Sequence, residues 1–277
     1  MSVWQEVGDG CFRRRYERYD VNVAVVRGAD GLLLFDTRGS PVQGDELRRE
    51  LTELDRRPIR HVVNSHWHFD HVLGNQCFVG RPDPVRWGHP GLNQMFERHG
   101  DALARACAYD PALSTELVDL ELTLPNRSGP DHATIDLGDR SVDLVHHGRG
   151  HTGHDIVAHV RAARVVLAGD LLEESAPPAY GDDCFPMAWP ETLDALLGAT
   201  GSDTTIVPGH GDVMTTLQAR DQADAIRTVA TILRRLHAAG EPVEHALDTA
   251  TELWPFPPRL LGDAVRRGYD ELDGTAE

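Results

Sequence analysis

Between Asn64 and Gln76 the chain reads N-S-H-W-H-F-D-H-V-L-G-N-Q, immediately after an apolar run over residues 59–63. His66, His68, Asp70 and His71 fall within six consecutive positions, a density of ionisable groups that core packing does not call for. Neutral imidazoles and a carboxylate are ligands for zinc, and equally for iron or manganese. On a continuing strand, His66, His68 and Asp70 would share one face, because side chains alternate with period two. If the strand instead ends near His66, a tight loop gathers all four groups around one point.

His-x-His-x-Asp-His after a hydrophobic strand resembles the signature of the metallo-beta-lactamase superfamily. The spaced partners resemble it too: His151 in G-H-T-G, Asp170 in L-A-G-D and His210 in P-G-H-G-D, so that the likeness runs from roughly Asp20 to Asp212. The resemblance implies an α/β fold, a four-layer αβ/βα sandwich of two mixed β-sheets with helices on the outer faces. It implies two divalent metal ions, zinc foremost, with iron or manganese as alternatives. By the family pattern His66, His68 and His151 hold one ion, Asp70, His71 and His210 hold the other, and Asp170 bridges them. A hydroxide held between the ions would attack the substrate, with Asp70 or a bound water helping to move protons. Aspartate rather than cysteine at 170 follows the pattern of the general hydrolases in this superfamily and not its antibiotic-hydrolysing branches.

Other residues are candidates for roles behind the ligands or against substrate. Asp36 follows an apolar run and either braces the first metal loop or caps its strand. Around His151, in G-R-G-H-T-G-H-D, His147 and His154 are candidates for supporting bonds or substrate contact. Asp155 is a candidate for orienting His210 or His68. Tyr180, Arg86, Arg98 and Arg149 are candidate substrate contacts, each with solvated surface as the simpler role.

These residues need strand ends to position them. Residues 21–27 and 32–35, separated by a Gly-Ala-Asp-Gly turn, read as a hairpin. Residues 41–57 read as a helix with Val42, Leu47, Leu51 and Leu54 at helical spacing, and residues 59–63 as the following strand, which makes a βαβ unit. A short helix starts within 71–75, and short strands are expected at 77–79 and 85–86. Residues 92–108 read as a helix. Within a single domain over 1–277, residues 88–128 are expected to be a helical insertion covering the pocket. Strands return at 133–137, 141–145, 156–160 and 165–168. A loop is expected over 171–183, then a helix over 192–197 and a strand at 205–207. Residues 214–239 form the clearest amphipathic helix, with Gly240 as its stop. Residues 213–277 are expected to be C-terminal helices, the last over 259–272, with Trp254 and Phe256 in the core.

Composition sets the bounds on partners. The 277-residue chain is 40% hydrophobic, enough for a sizeable core. It carries a formal net charge of −17, and all 27 of its basic residues are arginine. That balance argues against a general nucleic-acid binder or a protein of anionic membrane surfaces. The four cysteines are widely spaced, with no Cys-x-x-Cys pair, and read as buried thiols. No secretory signal or membrane-spanning run is expected, so the protein reads as cytoplasmic. Its partner is expected to be a small molecule, and aromatic residues in the cover and tail are compatible with a homodimer.

There is no Gly-x-Ser-x-Gly and no phosphate-binding loop, so a serine hydrolase or ATP enzyme has no footing. The leading expectation is metal-dependent hydrolysis of a carbonyl substrate: an ester, thioester, lactone or lactam. The alternatives are a phosphodiesterase acting on a small phosphodiester, and an iron-dependent oxidoreductase of the persulfide dioxygenase type.

Overall fold

Strands that are apolar on both faces must be covered on both, and this requirement sets the layering here. The computed structural model describes residues 4–80, 83–98, 102–128 and 131–275, apart from the side chains at 98, 102 and 128. One sheet contains β1 (Gln5–Gly8), β2 (Cys11–Arg15), β3 (Asn22–Gly28), β4 (Gly31–Phe35), β5 (Ile59–Val63), β6 (Val85–Gly88) and β7 (Arg127–Ser128) in that order. The first four pair antiparallel, and β4 through β7 pair parallel. The other contains β8 (His132–Asp136), β9 (Ser141–Val145), β10 (Val157–Val160), β11 (Val165–Glu173) and β12 (Thr205–His210), antiparallel except for the parallel β11–β12 pair. Both sheets are mixed.

Alternation along the strands divides the core. In β3 and β4, Ala24, Val26, Leu33 and Phe35 face the second sheet, meeting Ile135, Leu144, Ala158, Leu167 and Val207. Their neighbours Val23, Val25, Leu32 and Leu34 face outward onto α1 (Pro41–Leu54) through Leu47 and Leu51. On the far side, Val157, Val166 and Ala168 lie beneath α6 (Trp189–Gly198), α7 (Thr216–Ala238) and α9 (Gly262–Leu272). The four-layer sandwich expected from the sequence is therefore the observed architecture. Ser40 caps α1 by accepting from Gln43 N–H, and Thr215 with Gln218 closes a capping box on α7.

Smaller helices lie between these layers and the pocket: α2 (Phe69–Val72), α3 (Pro90–Arg98), α4 (Ala102–Tyr109) and α5 (Leu113–Glu116). They share an apolar cluster in which Trp67, Leu73, Leu92, Ala106 and Leu113 are buried. The short helix α8 (Ala246–Thr249) precedes the buried Trp254, and Phe256 packs beside it, as expected. Among the described residues, no helix is long and apolar enough to cross a membrane.

Several elements differ from the expectations. The sequence analysis assigns nothing before Val21, yet β1 and β2 occupy the sheet edge. Their charged pattern finds long-range partners: Arg13 donates to Asn22 Oδ1 and the Gly211 carbonyl and pairs with Asp212, and Arg14 reaches Glu50. Residues 77–79 are not a strand, because Asn75–Phe78 closes a 3₁₀ turn in which Cys77 N–H bonds the Gly74 carbonyl at 3.0 Å. The helix expected over 92–108 is α3 and α4, and residues 99–101 lie outside the described residues. Val42 faces solvent, because the buried side of α1 is set by Gln43, Gly44, Leu47 and Leu51. Strand β11 continues past Gly169 to Glu173, so the loop expected from 171 begins later. The αL geometry of Gly169 (φ 54°) lets the strand shift register against β12 without ending.

Candidate metal centre

The strand ends deliver the chemistry. The stretch after β5 carries His66, His68, Asp70 and His71, the loop after β9 carries His151, β11 carries Asp170, and β12 ends on His210. These seven side chains form two adjoining clusters. Ligand atoms of His66, His68, His151 and Asp170 lie within 4.8 Å of one another, as do those of Asp70, His71 and His210. Asp170 stands between the clusters. Its Oδ1 is 3.3 Å from His71 Nε2, and its Oδ2 is 3.2 Å from His210 Nε2, 3.5 Å from His151 Nε2 and 3.7 Å from His66 Nε2. Asp70 Oδ2 lies 3.5 Å from His210 Nε2 and 3.6 Å from His71 Nε2.

Each imidazole is held from outside by one nitrogen and presents the other inward. His66 Nδ1 meets Ser65 Oγ at 2.9 Å, and His71 Nδ1 meets Asp36 Oδ2 at 2.9 Å. His151 Nδ1 lies 3.0 Å from the Ala179 carbonyl, and His210 Nδ1 lies 2.7 Å from the Tyr19 carbonyl. His68 is reversed: its Nε2 faces Asp183 Oδ2 at 3.2 Å, and its Nδ1 points to His151 Nε2. Buried polar atoms are normally paired, yet His66 Nε2, His71 Nε2 and Asp170 Oδ1 are buried without a hydrogen-bond partner. Inward imidazole nitrogens, unpartnered acceptors and carboxylates together suit divalent cations, and fixed outer partners are what metal-ligating histidines require.

The backbone bends to make this possible. Tyr19 (φ 65°) and Asp20 (φ 57°) are left-handed, which is costly for residues with a Cβ and turns the Tyr19 carbonyl towards His210. Asp36 is left-handed as well (φ 64°), and its carboxylate accepts from Ser65 N–H at 2.7 Å and Ser65 Oγ at 2.8 Å. Asp36 thus braces the first loop and is more than a strand cap. Gly209 has no room for a side chain, since a Cβ there would overlap Asp170 Oδ1. Asn22 donates to the carbonyls of Pro208 and Gly211 at 3.0 and 2.9 Å and ties the His210 loop to the first sheet.

Electrostatics follow this geometry. Burial opposes charge on Asp170, but His71, His210 and His66 hold its carboxyl well below the usual range. Burial likewise opposes a charged His210, but Asp170 and Asp70 push it up to about 10. Burial drives His151 down to about 4. Burial and the nearby Asp170 raise Glu173 to about 7.

A cavity of about 860 Å³ opens above the clusters, and His68, Asp70, His151, Asp170 and His210 reach it. Phe96 from α3 and Leu103, Arg105, Ala106 and Tyr109 from α4 line it, so helices of the 88–128 segment face the pocket. Tyr180 lines it too, with its hydroxyl buried and unpartnered.

Other candidates stand elsewhere. His147 and His154 do not line the cavity: His147 Nε2 is 3.0 Å from His159 Nε2, and His154 stacks on His89 with ring centroids 6.3 Å apart. Asp155 orients neither His210 nor His68. It accepts from Thr152 N–H at 2.8 Å and Thr152 Oγ1 at 2.7 Å and thereby shapes the His151 turn. Arg86 pairs with Asp83, and Arg149 lies over Phe185, both away from the cavity. The side chain of Arg98 lies outside the described residues. The sequence analysis missed Asp183, whose Oδ2 accepts the Trp67 indole N–H at 2.6 Å beside His68. For Asp183 the acidic Asp182-Asp183 pair is the available signal; Glu173 and the Tyr19 carbonyl carry none.

A family model described as the metallo-beta-lactamase superfamily matches residues 16–225. A metallo-beta-lactamase type 2 from Bacillus cereus is 23% identical over 218 residues, covering 76% of this chain and 74% of that protein. The type 2 enzyme from Bacteroides fragilis is 23% identical over 181 residues, covering 65% of this chain and 64% of that protein. The stereoselective inverting sec-alkylsulfatase Pisa1 from Pseudomonas sp. superposes with a TM-score of 0.77 at 17% identity, over 98% of this chain and 50% of its own. The chain therefore spans half the length of that sulfatase. The metallo-beta-lactamase FIM-1 from Pseudomonas aeruginosa, in its mono-zinc form, superposes with a TM-score of 0.63 at 17% identity, over 81% of this chain and 94% of its own.

Proposed function

The chain belongs to the metallo-beta-lactamase superfamily, whose members are mostly hydrolytic enzymes, and from that premise we propose that it is a dinuclear metal-dependent hydrolase of a carbonyl substrate: an ester, thioester, lactone or lactam. The observation that carries this reading is the convergence of seven His and Asp side chains in two clusters at the floor of an open cavity. His66, His68 and His151 would hold one divalent ion, Asp70, His71 and His210 a second, and Asp170 both. Zinc suits this imidazole and carboxylate set, which iron and manganese also accept. Bound there, such ions would supply a water acidified to a pKa of about 7 and positive charge to offset a developing oxyanion.

The protein's own groups do the rest. Asp70 reaches the cavity between His71 and His210, placed to take a proton from the attacking water and return it to the leaving group. Asp36, Asp183, Ser65 and the carbonyls of Tyr19 and Ala179 fix the imidazoles, so little reorganisation accompanies the reaction. Trp67, Phe96 and Leu103 give the substrate side an apolar lining.

A second reading, hydrolysis of a sulfuric ester, draws on the likeness to the alkylsulfatase over 98% of this chain. The acidic lining counts against an anionic substrate of either kind, alkyl sulfate or phosphodiester. Elemental analysis of the purified protein with a substrate panel tests these readings. About two divalent ions per chain, with turnover of an ester, thioester, lactone or lactam, supports the proposal. Turnover of alkyl sulfates alone moves it to the second reading. A single iron with persulfide oxidation, or turnover of phosphodiesters alone, overturns it.

A further inference from the structure

The cavity divides into two zones. Its floor carries the metal-site side chains. Above them stands an apolar wall in which Trp67 meets Phe96 edge to face at 5.7 Å and Phe69 lies 5.6 Å from Tyr109, with Leu73 and Leu103 beside them. A substrate with its reacting bond at the floor would bring its remote part against this wall.

The charged groups around the wall are largely paired with one another or with a neighbour: Asp20 with Arg15, Asp182 with Arg105 and Asp263 with Arg266. The lining includes the carboxylates of Asp20, Glu173, Asp182, Asp183 and Asp263, in addition to Asp70 and Asp170 on the floor. Among the described residues, the arginines of the lining are Arg105 and Arg266. Arg105 pairs with Asp182 at 2.6 Å, and Arg266 pairs with Asp263 at 2.6 Å. A remote carboxylate or phosphate would therefore give up water for an aromatic surface and compete for guanidinium groups that already have anionic partners. A neutral apolar group loses nothing there, and a cation gains the exposed ring of Tyr109.

From this arrangement we infer that the site selects substrates whose remote portion is an apolar body, neutral or cationic, and rejects those with an anionic remote group, such as a lactam bearing a carboxylate or a thioester on a phosphorylated carrier. The inference rests on the metal-hydrolase reading, because the ions at the floor define which end of the substrate is remote.

A binding series separates the two ideas. Three aryl hydroxamates share one metal-chelating end and differ at the far end: neutral, trimethylammonium or carboxylate. Their dissociation constants are measured by calorimetry on the zinc-loaded protein. The expected result is that the neutral and cationic compounds bind about tenfold or more tighter than the carboxylate. Leu103→Arg, which adds a cation to the wall, should narrow that gap. Equal binding, tighter binding of the carboxylate, or no binding of any of the three to the loaded protein overturns the inference, whatever the substrate panel shows. A protein that takes up no divalent ion overturns the hydrolase reading first, and the inference with it.

Discussion

His71 Nδ1 lies 2.9 Å from Asp36 Oδ2, a contact between a strand end of the first sheet and a ring that points its other nitrogen at Asp70 and Asp170. The same carboxylate receives the backbone and side chain of Ser65, whose oxygen in turn touches His66. Asp36→Ala should strand these buried partners at about 1–3 kcal/mol for each group left unsatisfied. It should also weaken metal retention about 10–100-fold, the usual cost of losing a partner behind a ligand. Thermal unfolding and metal content after dialysis against a weak chelator check this. Wild-type values for both would show that Asp36 braces nothing.

Gly209 makes a sharper test, because it contributes no chemistry. A Cβ there would overlap Asp170 Oδ1. Gly209→Ala should displace Asp170 and lower metal content and activity together, while far-ultraviolet circular dichroism keeps its wild-type shape. Full metal occupancy in this variant would mean that Asp170 can retreat without leaving the site.

Part of the acid sensitivity should arise away from the metal centre. Burial, with His146 as the next contributor, holds both His89 and His147 down to about 4, and burial and His147 hold His159 there. In the unfolded chain these rings titrate near 6.5, roughly the free histidine value. Between those values the unfolded chain binds more protons than the native one, so stability rises with pH. Their penalty is absent above about pH 7, grows as the pH falls through 6.5 and levels off below about 4. His159→Gln should flatten the slope of urea unfolding free energy between pH 7 and pH 5. An unchanged slope would remove His159 from the account.

Much of this molecule is legible in residue order. The run after β5, the hairpin of β3 and β4, and the β4–α1–β5 unit carry local signals: alternation, turn glycines and dense histidines. What stayed hidden depends on distant partners. The strand β2 includes three successive arginines, an unpromising pattern until Asp212, Glu50 and Asp20 are brought alongside. Gly169 resembles a strand end, but the left-handed turn at that position lets β11 run on to Glu173. Asp183 sits in a loop with no periodicity, and only folding brings it to His68 and Trp67. Asp155 shows the opposite failure: a long-range role was expected, and its strongest bonds go to Thr152, three residues away.

The Tyr19 carbonyl on the first sheet's side receives His210 from the second, and Asn22 grips the same loop. The centre therefore lies on the seam of the sandwich and works as a rivet between its halves. Loading it would make resistance to heat and proteases a function of cation supply, so a cell short of the ion would lose the protein itself along with its activity.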